Sequence, residues 1–184
     1  MPTAIDDSEI HQIVQRVVQN VMGSSERASA QPAARRIVAI GADHGGFELK
    51  ETLKSEVSTL GFEVMDVGTV SKEAVDYPDF AHAVAQSVST GKAWRGIMID
   101  GAGIGSCIVA NKVPGVRAGM AYDVSSASNS REHNDTNVLT LGAGLIGVAL
   151  AKQIVKTWLT TDFGGDRHAK RVDKIKAVEK QYLK

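Results

Sequence analysis

The chain has 184 residues, of which 43% are hydrophobic and 23% charged, values typical of a globular domain. Its 21 basic and 21 acidic residues balance, which argues against nucleic acid as a general partner. Cys107 is the single cysteine, so an intrachain disulfide is impossible and a reducing compartment is expected. No stretch approaches the roughly 20 apolar residues of a membrane span. We therefore expect a cytoplasmic protein with no membrane partner.

The first 22 residues predict an amphipathic helix. From Ile10 to Met22, apolar residues recur at steps of three and four, which places them in one stripe. Gly23 ends this pattern, and residues 23–36 have the small, polar composition of a flexible linker. A lone helix of this length is marginal in water, so the stripe needs a surface to cover.

From residue 37 onward, short apolar runs alternate with helical periodicity. Five runs have the length and composition of buried strands: 37–42, 62–67, 95–100, 116–121 and 137–142. Helical stretches separate these runs, and a final helix is predicted over about 168–182. The alternation predicts one α/β domain over 37–184, in which helices cover both faces of a five-stranded parallel sheet.

Ligands of such sheets bind beyond the carboxyl ends of the strands. This rule draws attention to the loops that follow the first three strands, and we place the segment 130–137 before strand five with them. These four segments are the expected location of the chemistry.

The segment 100–106, with the sequence DGAGIGS, connects a strand to a helix. Gly101, Gly103 and Gly105 allow backbone N–H groups to converge at the helix N-terminus, which suits a phosphate or the oxyanion of an enediolate. A tight turn would explain an isolated glycine triplet equally well. Asp100 favours the catalytic interpretation, because an acid beside an anion site can serve as a base next to an oxyanion hole.

Other polar residues are further candidates. Asp43 and His44 follow the first strand, although Asp43 could simply cap the next helix. His133 lies just before strand five, and a lone histidine is more often structural than catalytic. Arg167 and Arg171 are one helical turn apart, a spacing that suits a phosphate clamp but also occurs on solvated faces.

Other chemistries have less support. The five histidines lack the paired spacing of a metal site, and the chain has no GxSxG elbow. Cys107 lies near a helix start, where a thiol can be reactive, but a lone cysteine there is more often a small buried residue. We expect no metal site.

Five segments occur in the order and spacing of one family: GADHGGFELK (41–50), DYPDFA (76–81), DGAGIGSCIVANK (100–112), SREHNDTNVL (130–139) and GGDRHAKRV (164–172). Over about residues 37–183 the chain resembles ribose-5-phosphate isomerase type B, whose relatives include the galactose-6-phosphate isomerase subunits. The resemblance implies a three-layer, Rossmann-like sandwich and a small phosphorylated sugar as substrate. It also implies a homodimer or dimer of dimers with active sites at the subunit interface, and no metal or organic cofactor.

The resemblance also implies how the sugar is held and opened. Asp43 would bind sugar hydroxyls, and Tyr77 would line the site. His133 would open the furanose ring by acid–base transfer, with Asn134 beside it.

By the same resemblance, His44, Arg167 and Arg171 would hold the phosphate. The backbone from Gly101 to Gly105 would stabilise the enediolate formed between ribose 5-phosphate and ribulose 5-phosphate.

The chain departs from the family pattern at several positions. Many members carry a catalytic cysteine where this chain has Asp100, and a threonine where it has Ala102. Another branch places a glutamate base at the position of Ser106, and some members have a phosphate-binding arginine at Gly144. Since a carboxylate can also move a proton between C1 and C2, we predict Asp100 as the base, with Cys107 as the alternative base.

Three alternative functions remain open. The substrate could be a four- or six-carbon sugar phosphate, or a deoxy sugar phosphate. A dinucleotide-binding module would use Asp66 for a ribose, but the first turn is not GxGxxG and Asp43 would repel a pyrophosphate. A non-catalytic sensor of sugar phosphates is the third, although His133 and Asp100 favour an enzyme.

The N-terminal stripe resembles the encapsulation peptides that direct enzymes into bacterial microcompartments. The resemblance implies a shell protein as partner through residues 5–22, and a location in the microcompartment lumen. The alternative is a helix that packs on its own dimer.

Overall fold

The computed structural model describes residues 36–182, so the predicted N-terminal helix and the linker up to residue 35 lie outside the described residues. The strands are β1 (Ile37–Ala42), β2 (Glu63–Asp66), β3 (Arg95–Asp100), β4 (Ala118–Met120) and β5 (Val138–Gly142). The helices are α1 (Phe47–Thr59), α2 (Tyr77–Ser89), α3 (Ile104–Ala110), α4 (Val124–Glu132), α5 (Val148–Thr160) and α6 (Asp166–Tyr182). The strands are parallel, in the order β2-β1-β3-β5-β4, which confirms the predicted sheet.

Side chains alternate between two packed faces along each buried strand. On β3, Ile97 and Ile99 pack in the core built with α1 and α5, whereas Met98 packs in the core built with α2. Burying each of these side chains contributes roughly 1.5–3 kcal/mol. The same period of two assigns Asp100, the last residue of β3, to the face covered by α2 and α3.

Parallel pairing assigns each connecting segment to one edge of the sheet. β3 and β5 pair from Gly96–Val138 at the amino edge to Asp100–Gly142 at the carboxyl edge. The expectation that the segment 130–137 lies at the carboxyl ends of the strands is wrong. It lies at the amino edge, because α4 has already carried the chain back across the sheet before β5 begins.

The fourth strand is shorter than the predicted run 116–121. It is one of the two edge strands and pairs only with β5. The carbonyl oxygen of Arg117 accepts the backbone N–H of Asn137 at 3.0 Å, but the N–H of Arg117 donates to the side-chain Oδ1 of Asn137 at 2.7 Å, so the regular backbone pairing does not extend to this residue.

Two helices begin earlier than their sequence patterns indicate. Tyr77 and Pro78 form the first turn of α2, not a separate turn before it. Proline fits this position, because N–H groups in the first turn have no intrahelical partner. The final helix begins at Asp166.

Candidate active site

Three segments meet around a small cavity at the carboxyl edge of the sheet. The cavity has a volume of about 180 Å³ and is lined by Asp43, Tyr77, Asp100, Gly101, Ala102 and Gly105. These residues come from the end of β1, the start of α2 and the β3–α3 loop. The fold therefore brings together most of the site residues predicted at this edge, while His44, Gly103 and Cys107 are not in the cavity wall.

The carboxylate of Asp100 is buried and held by donors from the segment that follows it. Oδ1 accepts the N–H of Ala102 at 2.8 Å and the N–H of Gly103. Oδ2 accepts the N–H of Ser106 at 3.3 Å and also the Ser106 hydroxyl. Ser106 has no exposed surface, and Asp100 is 5% exposed. The carboxyl group of Asp100 therefore accepts four hydrogen bonds from its own chain.

The glycine loop is only partly available to a bound anion. We expected its N–H groups to converge on a ligand, but the N–H of Gly103 is directed at Asp100 of the same chain. Gly103 has φ +78°, a left-handed conformation that glycine adopts without strain. Gly101 and Gly105 remain in the cavity wall, where a ligand oxygen could approach the backbone.

Gly105 allows Tyr77 to enter the site. A Cβ at position 105 would lie 2.5 Å from the Tyr77 ring and hydroxyl, far inside normal contact distance. The first turn of α2 thus packs directly on the first turn of α3, and both residues line the cavity. Tyr77 therefore lies in the same cavity wall as Asp100, and its role as a site residue stays a prediction.

Asp43 and His44 behave differently although they are adjacent. Asp43 is buried, lines the cavity and accepts the N–H of Gly46 through Oδ1 at 3.0 Å. His44 is exposed, and its Nδ1 lies 3.1 Å from the carbonyl oxygen and 3.2 Å from the nitrogen of Val75. Asp43 thus caps the turn before α1 and can also meet a ligand, so its two predicted roles are compatible.

The thiol of Cys107 faces away from the Asp100 cavity. Its Sγ is 3.6 Å from the carbonyl oxygen of Ala118 on β4 and 3.6 Å from the amide nitrogen of Asn111. The cavity wall does not include Cys107. This position disfavours the alternative in which Cys107 is the base.

The second group of predicted residues lies where α4 ends and α6 begins. His133 follows the last residue of α4, and its Nδ1 is 2.8 Å from the amide nitrogen of Asn129. Its ring stacks on that of His168, with centroids 4.2 Å apart and planes inclined by 6°. His168 and Asn129 were not among the predicted site residues. The i, i+4 spacing of Asn129 and His133 on one helix was the available signal.

His168 is the buried member of this group. Burial lowers the pKa of His168, and the neighbouring His133, Arg167 and Arg171 lower it further. Nε of Arg167 donates to Nε2 of His168 at 3.3 Å, while both arginines remain exposed. The start of α6 is therefore a positive surface that can receive an anion.

Asp135 fixes the turn that follows His133. Its φ of 47° is left-handed, which is uncommon for a residue other than glycine. Arg117 donates to its carbonyl oxygen and to Oδ2, both at 2.8 Å, and Arg131 donates to Oδ1 at 2.8 Å. These bonds hold a strained backbone in place, so His133 and Asn134 are presented from a rigid turn.

The two groups lie at opposite edges of the sheet. Asp100 ends β3 at the carboxyl edge, whereas His133 precedes β5 at the amino edge. A strand of six residues rising about 3.3 Å each separates the edges by roughly 17 Å, well beyond hydrogen-bond reach. One chain therefore does not bring His133, Asn134 and the arginines to the Asp100 cavity.

Asp66, on which the dinucleotide alternative depends, is already engaged. Its Oδ2 accepts from Lys50 at 2.6 Å and from Lys54 at 2.8 Å. Burial would raise the pKa of Asp66, but the hydrogen bonds from the two lysines outweigh it and leave the pKa lowered. A carboxylate neutralised in this way is poorly placed to bind a ribose.

Within residues 36–182, no helix is long and apolar enough to cross a membrane. The same residues contain no group of three His, Cys, Asp or Glu side chains that could hold a metal ion.

An α/β sandwich with two buried carboxyl groups lining a small cavity at the carboxyl edge belongs to the class of folds that bind small molecules at that edge. The family model described as Ribose/Galactose Isomerase matches residues 38–175. The chain belongs to the ribose/galactose isomerase family. The predicted family and fold are confirmed, and with them the enzyme class, an aldose–ketose isomerase of phosphorylated sugars.

Individual relatives match over the whole domain. Ribose-5-phosphate isomerase B of Escherichia coli is 45% identical over 144 residues, which are 78% of this chain and 97% of the relative. D-erythrulose-4-phosphate isomerase of Pectobacterium atrosepticum is 42% identical over 145 residues, 78% of this chain and 95% of that protein.

Solved structures agree with these relatives. Ribose-5-phosphate isomerase B of Clostridium thermocellum has a TM-score of 0.78 at 49% identity, covering 79% of this chain and 99% of that one. The Mycoplasma genitalium ribose-5-phosphate isomerase B with bound ribulose-5-phosphate has a TM-score of 0.76 at 37% identity, covering 79% and 97%.

Proposed function

We propose that the chain interconverts ribose 5-phosphate and ribulose 5-phosphate at the Asp100 cavity. The observation that carries this proposal is the buried carboxyl group of Asp100 beside a small cavity at the sheet edge, with a second carboxyl group, that of Asp43, in the same wall. Ribose 5-phosphate is the first candidate because relatives from two organisms carry the name ribose-5-phosphate isomerase B, that of Escherichia coli at 45% identity and that of Clostridium thermocellum at 49%.

In the proposed reaction, Asp100 takes the proton from C2 of the open-chain aldose. The electron pair of the broken C–H bond forms the C1=C2 double bond, and the carbonyl electron pair moves to O1, giving an enediolate. The backbone at Gly101 and Gly105 stabilises the charge on O1. Protonated Asp100 then returns its proton to C1, while the hydroxyl proton on O2 passes to O1, so the reaction neither gains nor loses protons.

The remaining roles follow the family pattern and need a second copy of the chain. In the proposed homodimer, the amino-edge group of one protomer meets the carboxyl-edge cavity of the other. His133 opens the ring with Asn134 beside it, and Arg167, Arg171 and His44 hold the phosphate. The separation of roughly 17 Å between the edges of one sheet supports an assembly of this kind.

Exposed apolar residues give such a dimer a surface to bury. Ile104 and Ile108 stand one turn apart on α3, beside the cavity, and are 55% and 58% exposed. Ile175 and Val178 form a second apolar strip on α6. Clusters of exposed apolar side chains of this kind are typical of surfaces that bind another protein. A dimer of dimers would bury still more of this surface.

A four-carbon sugar phosphate is the second candidate substrate. The D-erythrulose-4-phosphate isomerase of Pectobacterium atrosepticum is 42% identical, close to the 45% of the Escherichia coli ribose-5-phosphate isomerase B, so overall similarity does not separate them. The deciding experiment is to measure ketose formation by the purified chain from four-, five- and six-carbon aldose phosphates and from a deoxy analogue. The highest kcat/KM with ribose 5-phosphate supports the proposal, and no turnover of any of them refutes it.

We also propose that residues 1–22 address the enzyme to a microcompartment shell protein, and that it acts in the cytoplasm inside that compartment. The support is the apolar stripe from Ile10 to Met22 in the sequence. Deleting residues 1–36 should retain kcat/KM and abolish co-localisation with shells. Replacing Val14 and Val18 with Asp should have the same effect in the full-length chain. Loss of the dimer on deletion would instead show that the segment is structural.

A further inference from the structure

The carboxylate of Asp100 has a full set of hydrogen-bond donors. Each oxygen accepts two bonds, from Ala102 and Gly103 on Oδ1 and from the N–H and hydroxyl of Ser106 on Oδ2. An ionised carboxylate offers about four lone-pair sites. In this arrangement no lone pair of Asp100 is free to accept a proton from the substrate. If Asp100 acts as the base, one of these four hydrogen bonds must first break.

Only one of the four donors can leave without moving the backbone. Three are N–H groups held by the loop and by α3, whereas the Ser106 hydroxyl turns by rotation about a single bond. We infer that Ser106 is a positioning residue for the isomerase reaction, whose hydroxyl holds Asp100 in the resting enzyme and frees a lone pair on Oδ2 by turning away. This inference rests on the proposed role of Asp100 as the base.

The released carboxylate remains oriented during the proton transfer. Ala102, Gly103 and the Ser106 N–H still bind it, so Oδ2 takes the proton from C2 without a change of rotamer. A hydroxyl can also accept a hydrogen bond, which a backbone N–H cannot. Ser106 is therefore compatible with both the ionised and the protonated form of Asp100.

The other titratable groups in the cavity wall are the carboxyl of Asp43 and the phenol of Tyr77. Neither hydrogen-bonds to Ser106, whose side chain pairs with Asp100. A substitution at Ser106 leaves both groups in place. The difference between the variant and the wild type therefore reports on the hydroxyl.

The first test is the pH profile of kcat/KM for Ser106→Ala with ribose 5-phosphate. Losing one donor to the ionised carboxylate should move the acid limb about one pH unit toward higher pH, with KM changed by less than about twofold. Ser106→Cys retains the size but donates weakly, so its shift should be intermediate. Ser87→Ala is the matched control, because Ser87 is a buried helical serine whose hydroxyl donates to Ala83 of its own helix. It should shift nothing.

A double-mutant cycle tests whether Ser106 acts through Asp100. In an Asp100→Asn background, Ser106→Ala should leave the residual kcat unchanged, because the base that it positions is absent. The inference is overturned if Ser106→Ala changes kcat by the same factor in the wild-type and Asp100→Asn backgrounds. It is also overturned if the acid limb of the pH profile does not move in Ser106→Ala.

A measurement without turnover separates this inference from the proposed function. The 13C chemical shift of the Asp100 carboxyl, measured at one fixed pH, should differ between Ser106→Ala and the wild type because the hydroxyl no longer donates to Oδ2, and identical shifts overturn the role of Ser106. A wild-type chain that converts no sugar phosphate refutes the proposed function, whichever way this comparison falls.

Discussion

The rings of His133 and His168 stack almost parallel, 4.2 Å apart, although 34 residues lie between them in the chain. Arg167 can only donate a hydrogen bond, so its contact with Nε2 of His168 requires that nitrogen to be unprotonated. His168 is therefore a neutral, buried imidazole. The ring of His133, the proposed ring-opening residue, stacks on it.

The burial of His168 makes the stability of the fold depend on pH. The pKa of folded His168 lies below its ordinary value of 6.5, so as the pH falls through 6.5 the unfolded chain binds a proton that the folded chain does not. The contribution of the neutral ring to the free energy of unfolding is therefore fully present above pH 6.5, and it is lost progressively as the pH falls below 6.5. In His168→Phe, the phenyl ring can stack on His133 but cannot take up a proton. The Tm of this variant should therefore fall less than the Tm of the wild type when the pH is lowered. The exposed His82, changed to Gln, is the control. Equal pH dependences of Tm in His168→Phe and the wild type would contradict this account.

Removing the proposed base tests the chemistry directly. Asp100→Asn retains the shape and one acceptor oxygen for Ala102 and Gly103, but cannot take a proton, so kcat should fall by at least ~100-fold. Cys107→Ala should change kcat little, because the thiol faces Ala118. Steady-state kinetics of both variants checks this. An active Asp100→Asn together with an inactive Cys107→Ala would reverse the roles.

The exposed arginines of α6 should contribute to binding and not to chemistry. Replacing Arg171 with Ala removes a charge-assisted contact to the phosphate, which is worth about tenfold to a hundredfold in KM. Thermal stability should change little, because the side chain is exposed. Lys176→Ala is the control on the same helix, since Lys176 pairs with Asp173. A KM equal to that of the wild type would remove Arg171 from the site.

Mixing two inactive variants tests whether two chains share each site. Asp100→Asn and His133→Asn lose residues from opposite edges, so a heterodimer contains one intact site and one doubly defective site. If the chains pair at random, about half of the dimers are heterodimers, and each heterodimer has one intact site out of two. About a quarter of the wild-type activity should therefore return. The check is the activity of coexpressed or refolded mixtures. No recovery, with heterodimers present, would mean that each chain holds its own site.

Local sequence patterns were sufficient to predict much of the fold of this protein. Continuous apolar runs predicted the strands, and β1 and β3 match their predicted runs end to end, because a strand buried on both faces leaves an uninterrupted apolar signature. The ordered motifs indicated the family, which the comparison confirms. The predicted run for β4 was too long at both ends, since the sequence does not show that the N–H of Arg117 donates to a side chain and not to the neighbouring strand.

The sequence by itself determined the fold class, the family and the residue types available for catalysis, since these depend on composition, period and spacing along the chain. Only the tertiary structure decided which of those residues meet. The crossover helices placed His133 at the edge opposite Asp100, and the turn of the glycine loop brought Ser106 back onto the carboxylate that it follows by six positions. Such encounters are consequences of how helices cross the sheet and where the chain turns, and spacing along the chain does not record them.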